Sequence, residues 1–206
     1  QLENLESSIV IVDTDNGEIV SLVGSASANN FGFNRALNAS RSIGSLIKPV
    51  VYLSALADYE TYQLNTFLDD SRFTLDLPEG GTWAPNNFDK NFHGKVQLHE
   101  ALWQSYNIAT ARLGMEIGVS KVLQSLKKLG YEKELIPLPS YLIGALEMTP
   151  LEVTQMYQTI ASEGFFSKLR AVSHVSDPSK ESVWVNSFQL KQRFRSEDIH
   201  LLKFAL

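Results

Sequence analysis

A serine hydroxyl and a lysine amine stand three positions apart at Ser45 and Lys48. A serine hydroxyl is a weak nucleophile near neutral pH and needs a neighbouring base to take its proton. Residues three apart in a helix lie on one face, one turn apart, so the Lys48 amine would come within reach of Ser45. Backbone N–H groups at the start of such a helix also face any oxyanion that forms on a substrate. The spacing therefore predicts nucleophilic acyl-transfer chemistry.

The residues that follow the pair favour a buried helix. An apolar run spans 50–57, and Pro49 is tolerated only near a helix start. A lysine that enters an apolar helix is costly unless it is paired or neutralised, and a lowered pKa is what a general base needs. The Ser-x-x-Lys tetrad formed by residues 45–48 leaves a second interpretation open by itself, in which Ser45 caps a helix and Lys48 extends to solvent.

The same tetrad spacing recurs at Ser125 and Lys128. That copy lies in residues 119–130, which predict an amphipathic helix ending at Gly130, with its lysines on a solvated face. We therefore expect the second copy to be structural. The spacing alone does not show which copy is catalytic, so the residues around each copy have to decide it.

Composition excludes several classes of protein. The 206 residues suffice for one domain with a sizeable core, and the net charge of −5 argues against nucleic-acid binding. The absence of cysteine excludes a disulfide framework and a thiolate metal site. The four histidines are scattered, and the sequence has neither a phosphate-binding glycine loop nor an apolar stretch that could span a bilayer.

Local patterns predict a mixed set of elements around these residues. An Asn-Gly turn at Asn16 and Gly17 between two β-rich runs predicts a hairpin over 8–23. Thr149, Pro150 and Glu152 form a strong helix start with a capping box. We also expect helices over 45–57, 98–105, 110–117 and 196–206, strands over 169–176 and 182–185, and a long irregular excursion over 58–95.

A second constellation, Ser105-Tyr106-Asn107, follows a helical run. With it, the chain resembles the transpeptidase domain of class A (bifunctional) penicillin-binding proteins. The segments that carry the resemblance run in family order over roughly positions 8 to 164: the strand pair with Gly17 and Gly24, 33–36, 41–49, 83–87, 94–96, 100–102, 105–107, 144–152 and 157–161.

The resemblance implies a mixed α/β (α+β) fold of the penicillin-binding transpeptidase and β-lactamase type, with an antiparallel sheet flanked by helices. It implies a serine acyl-enzyme that cross-links peptidoglycan stem peptides ending in D-Ala-D-Ala and is inhibited covalently by β-lactams. Ser45 would be the nucleophile, Lys48 its base, and Ser105 a proton relay between Lys48 and the leaving amine. Asn107 would bind the substrate amide and Lys48. The identity of the acylation base is disputed across the wider superfamily.

The resemblance also carries expectations about the surroundings of the domain. It implies no metal and no organic cofactor. A protein of this type would face the periplasm, with a membrane anchor and a glycosyltransferase domain outside these residues.

One departure from the family is the missing third motif, because neither Lys-Thr-Gly nor Lys-Ser-Gly occurs in the sequence. We therefore expect residues 1–206 to be a C-terminally incomplete transpeptidase domain with weak activity of its own. A D,D-carboxypeptidase and a non-catalytic β-lactam-sensing module remain alternatives. A class A β-lactamase is disfavoured, because Glu60 and Asn65 are one residue too far apart for its Glu-x-x-Leu-Asn motif and precede Ser105.

Overall fold

The computed structural model describes residues 5–27, 32–77, 80–179 and 181–206. Its α-helices are α1 (Arg35–Asn38), α2 (Lys48–Leu56), α3 (Leu98–Trp103), α4 (Asn107–Ile117), α5 (Val119–Lys128), α6 (Pro150–Ala161) and α7 (Ser196–Phe204). Two 3₁₀ turns span Gly44–Ile47 and Pro139–Ile143. The strands are β1 (Ile9–Val12), β2 (Ile19–Val23), β3 (Arg41–Ser42), β4 (Phe67–Asp70), β5 (Leu75–Asp76), β6 (Thr82–Trp83), β7 (Gly94–Gln97), β8 (Glu147–Met148), β9 (Phe165–Phe166), β10 (His174–Ser176), β11 (Ser182–Val185) and β12 (Lys191–Gln192).

The chain divides into two compact units. The first comprises Gln1–Arg41, Lys128–Glu132 and Met148–Phe194, and the second comprises Ser42–Lys127, Lys133–Glu147 and Arg195–Leu206. Within the described ranges, the strands pair as two-stranded ladders. The predicted mixed α/β class is confirmed. No helix in the described part of the chain combines the length and the apolar character that a membrane span requires.

The first unit contains the predicted hairpin and the predicted capped helix. β1 and β2 pair antiparallel, with Ile9 opposite Val23. At the start of α6, Thr149 Oγ1 accepts from the Glu152 N–H at 3.2 Å, and the Glu152 carboxylate accepts from the Thr149 N–H at 2.8 Å. The strand predicted over 169–176 is shorter than expected, because β10 begins only at His174, where pairing with β11 begins.

The second unit is built around α2. Every residue of α2 is buried, including Lys48. The helix packs against α4 and α7, and α4 packs in turn against β4. The apolar run after Pro49 thus forms a central helix, as its sequence predicted, while Ser45 lies in the 3₁₀ turn that precedes it.

The excursion over 58–95 contributes a strand pair beside α4. β4 pairs antiparallel with β7, from Phe67 opposite Gln97 to Asp70 opposite Gly94. Alternation along β4 places Leu68 and Asp70 inside, and Asp70 is completely buried. A charged residue at an inward position of a strand is expensive unless it is well hydrogen-bonded, so Asp70 marks a polar centre within this unit.

Candidate active site

Ser45 is exposed, in the 3₁₀ turn that leads into α2. The backbone before it is fixed by a second segment, because the Gly44 N–H donates to Gly144 O at 3.1 Å and the Ile43 N–H donates to Leu146 O at 3.0 Å. Gly144 has a φ of +91°, and a Cβ on it would overlap the Gly44 carbonyl. Only glycine fits this close approach, which therefore holds the nucleophile candidate on a rigid turn.

Lys48 lies one turn further on, and only 1% of its surface is exposed. Its Nζ donates to Ser105 O at 2.5 Å, to Ser105 Oγ at 2.9 Å and to Asn107 Oδ1 at 2.7 Å. Burial lowers the pKa of the Lys48 ammonium from 10.5 to about 8, although the negative charge of Asp70 acts in the opposite direction. The interpretation in which Lys48 extends to solvent is therefore wrong.

Ser105 joins the other two groups. Its Oγ accepts from Lys48 Nζ and lies 3.2 Å from Ser45 Oγ, to which it donates. Ser105 has a φ of +57°, a conformation that costs an L-residue about 1–2 kcal/mol and that gathers at functional sites. The turn between α3 and α4 thus holds the Ser105 hydroxyl between a nucleophile candidate and an amine.

Asn107 begins α4, three residues earlier than the sequence predicted. The N–H groups of Asn107 and Ile108 donate to Asn87 Oδ1 at 2.7 and 3.2 Å, and the N–H of Ala109 donates to Asp70 Oδ1 at 2.9 Å. Side chains from two distant segments therefore satisfy the first N–H groups of the helix. Sequence signals for helix capping act between neighbouring residues, so they did not indicate Asn87 and Asp70 as the caps of α4.

The Asp70 carboxylate is also held by His93. Its Oδ2 accepts from Asn87 Nδ2 at 2.6 Å and from the His93 N–H at 3.2 Å, and it lies 2.8 Å from His93 Nδ1. His93 Nε2 lies 3.0 Å from Asp89, and the His93 ring stacks on Tyr106 at 4.0 Å. The hydrogen bond to Asp70, above all, raises the pKa of His93.

The comparisons with known proteins identify the family. The model of the penicillin-binding protein transpeptidase domain matches residues 7–205. The chain belongs to this family. It is 40% identical over 207 residues to penicillin-binding protein 1B of Vibrio cholerae, covering 92% of this chain and 27% of that protein. It is 44% identical over 178 residues to penicillin-binding protein 1B of Escherichia coli K12, covering 85% of this chain and 21% of that protein.

A solved structure shows the same fold as this transpeptidase domain chain. The structure of PonA1 from Mycobacterium tuberculosis in complex with penicillin V matches with a TM-score of 0.82 at 20% identity, covering 99% of this chain and 57% of that one. The chain thus spans about a quarter of the curated relatives it matches and little more than half of that solved chain.

The four site residues predicted from the sequence come together in the second unit; they are Ser45, Lys48, Ser105 and Asn107. Lys48 Nζ donates hydrogen bonds to Asn107 Oδ1 and to Ser105 Oγ, and Ser105 Oγ donates in turn to Ser45 Oγ. A neutral amine at Lys48 could accept a proton through the Ser105 hydroxyl, so the chain of groups can carry a proton away from Ser45.

The second tetrad has no comparable surroundings. Ser125 is buried on α5, whereas Lys128 is exposed, with its Nζ 5.7 Å from the centroid of the Phe194 ring. Glu60 and Asn65 lie in the turns between α2 and β4. The tetrad at Ser45 is therefore the one whose surroundings support chemistry.

Proposed function

We propose that this chain provides the nucleophile, the base and the proton relay of a peptidoglycan D,D-transpeptidase, inhibited by β-lactams. The observation that carries the proposal is the buried Lys48, whose ammonium binds Ser105 and Asn107 while the Ser105 hydroxyl reaches Ser45. A lysine with a pKa of about 8 is partly neutral at physiological pH, as a general base must be. The penicillin V complex of PonA1 supports β-lactam binding within the same fold.

Acylation follows from this geometry. Ser45 Oγ forms a bond to the carbonyl carbon of the penultimate D-alanine. Its proton moves to Ser105 Oγ as the Ser105 proton moves to the neutral Lys48 amine. The Ser45 N–H supplies one donor to the developing oxyanion. When the intermediate collapses, the C–N bond to the terminal D-alanine breaks, and its nitrogen takes the proton back from Lys48 through Ser105.

Deacylation reverses these steps with a different partner. The amine of a neighbouring stem peptide attacks the ester carbonyl, a C–N bond forms, and the C–O bond to Ser45 breaks. The proton lost by the amine returns to Ser45 Oγ through Lys48 and Ser105. Water in place of the amine would give a D,D-carboxypeptidase, which uses the same nucleophile.

The remaining part of the site would come from outside residues 1–206. A Lys-Thr-Gly or Lys-Ser-Gly strand would provide the second oxyanion donor and would anchor the substrate carboxylate, and no such tripeptide occurs here. The family relationship also supports a periplasmic location beside a membrane anchor and a glycosyltransferase domain, as in class A enzymes.

A chimera tests the proposal in a complete domain. Residues 1–206 would replace the matching segment of the Escherichia coli protein, and D-alanine release from a D-Ala-D-Ala peptide would be measured with and without an acceptor amine. We expect D-alanine release and an amine-dependent cross-linked product, both lost in Ser45→Ala. Release without a cross-linked product would indicate a carboxypeptidase. A stable penicillin adduct without release would indicate a sensor, and both results would contradict the proposal.

A further inference from the structure

The first turn of α4 carries Asn107 but is capped from elsewhere in the chain. Tyr106, at the N-cap position, makes no side-chain capping hydrogen bond. The capping oxygens belong to Asn87 and Asp70, which lie 20 and 39 positions away from the residues they cap. The two capping side chains are also bonded to each other, because Asn87 Nδ2 donates to Asp70 Oδ2 at 2.6 Å.

The neighbouring loop also orients the Asn107 amide. Asn107 Nδ2 donates to the carbonyl of Asn86 at 2.8 Å. A carbonyl can only accept, so this bond fixes which end of the amide is the donor and directs Oδ1 to Lys48 Nζ. The segment around Asn86 and Asn87 thus fixes both the backbone and the side chain of Asn107.

We propose that Asn87 and Asp70 are positioning residues for acyl transfer, holding the start of α4 so that Ser105 and Asn107 meet Lys48. The proposal rests on the function proposed above. The side chains of both residues bond to the first turn of α4 and to each other, so we infer that both act through the helix they cap. Small displacements of a reacting group are expensive, since a shift of about 1 Å can cost roughly 100-fold in rate.

Asp70 adds an electrostatic effect to this geometric one. Its charge favours the charged form of Lys48, and it is itself buried with four donors converging on it, from Ala109, Asn87 and the backbone and ring of His93. The other titratable groups around this network are His93, Asp89, Tyr106 and, on α2, Tyr52, whose hydroxyl bonds Thr110 at 3.1 Å. Removing the Asp70 charge while keeping its shape should therefore make Lys48 easier to deprotonate.

Two variants and one control separate positioning from general stability. Asp70→Asn keeps an oxygen that can cap Ala109 but loses the charge, whereas Asn87→Ala removes the cap on Asn107 and Ile108. Thr149→Ala removes a comparable N-cap from α6 in the first unit. The pKa of Lys48 would be measured by ¹³Cε NMR titration of the chimera, with the Lys48 signal assigned from Lys48→Arg. Penicillin acylation rates would be measured in the chimera.

We expect Asp70→Asn to lower the pKa of Lys48, because the negative charge of Asp70 favours the ammonium form. Asn87→Ala should slow acylation about 10- to 100-fold, and Thr149→Ala should leave both quantities unchanged. An unchanged Lys48 titration in Asp70→Asn would overturn the inference, as would equal rates for Asn87→Ala and Thr149→Ala. If the unmutated chimera is not acylated, the proposed function fails, and the Lys48 titration still decides the role of Asp70.

Discussion

Acylation of Ser45 should accelerate steeply as the pH rises towards 8, because only a neutral Lys48 can accept a proton. With a pKa of about 8, Lys48 is roughly 1% neutral at pH 6 and about half neutral at pH 8. The acylation rate should therefore rise about fifty-fold over these two pH units and level off above pH 9. A lysine with the ordinary pKa of 10.5 would be only about 0.3% neutral at pH 8, and its rate would still be climbing tenfold per pH unit.

The assay is the second-order rate constant for acylation of the chimera by a fluorescent penicillin, measured from pH 5.5 to 9.5 with Ser45→Ala as the background. Lys48→Arg keeps the charge but cannot act as a base, and it should lose about 10²- to 10⁴-fold in rate and show no midpoint near pH 8. Lys128→Arg, in the second tetrad, is the matched control and should behave like the unmutated protein. A flat profile, a midpoint above pH 9.5, or full activity in Lys48→Arg would refute the assignment of Lys48 as the base.

Three further predictions follow from the backbone and charges of the second unit. Ser105→Ala and Ser105→Gly should each slow acylation about 100-fold or more. Because Ser105 has a φ of +57°, which glycine adopts without strain, Ser105→Gly should be about 1 kcal/mol more stable to urea than Ser105→Ala. Equal stabilities of the two variants would contradict backbone strain at this position. Gly144→Ala should destabilise the fold by about 3 kcal/mol or more through overlap with the Gly44 carbonyl. Gly94→Ala should cost only about 1–2 kcal/mol, because φ is +65° there and an added Cβ would meet no atom within 4 Å; similar losses would remove the argument for a close approach. A hydrogen bond to a buried aspartate raises the pKa of His93 above 6.5, so its stabilising effect is complete below that value and is lost as the pH rises through the raised pKa. The difference in unfolding free energy between wild type and His93→Gln should thus shrink from pH 6 to pH 8, and a constant difference would refute this account.

The parts of the fold that sequence patterns predicted well are those set by neighbouring residues. The apolar run after Pro49 indicated a buried helix, and α2 is buried along its whole length. The capping signals at Thr149 and Glu152 placed the start of α6 at the correct residue. Hydrophobic runs and capping boxes act within a few positions, so a single sequence contains the information that defines them.

The parts that sequence reasoning missed depend on contacts between distant segments. The sequence pattern predicted that α4 starts at Thr110, whereas the helix begins at Asn107. The side chains that cap this extra turn belong to Asn87 and Asp70, which are distant in sequence. Asn87 was part of the segment that carried the family resemblance, but its spacing from Asn107 has no helical or strand period. The polar centre at Asp70 was missed for the same reason, since its partners meet only in the folded chain.

The most direct test of the central claim, that Ser45 is an acylated nucleophile, is the intact mass of the chimera before and after incubation with penicillin. Ser45→Ala and Ser125→Ala would be measured beside it, so that each tetrad loses its hydroxyl in turn. We expect the mass to increase by one penicillin in the unmutated protein and in Ser125→Ala, and to stay unchanged in Ser45→Ala. An adduct that survives in Ser45→Ala, or no adduct in any of the three proteins, would contradict the account.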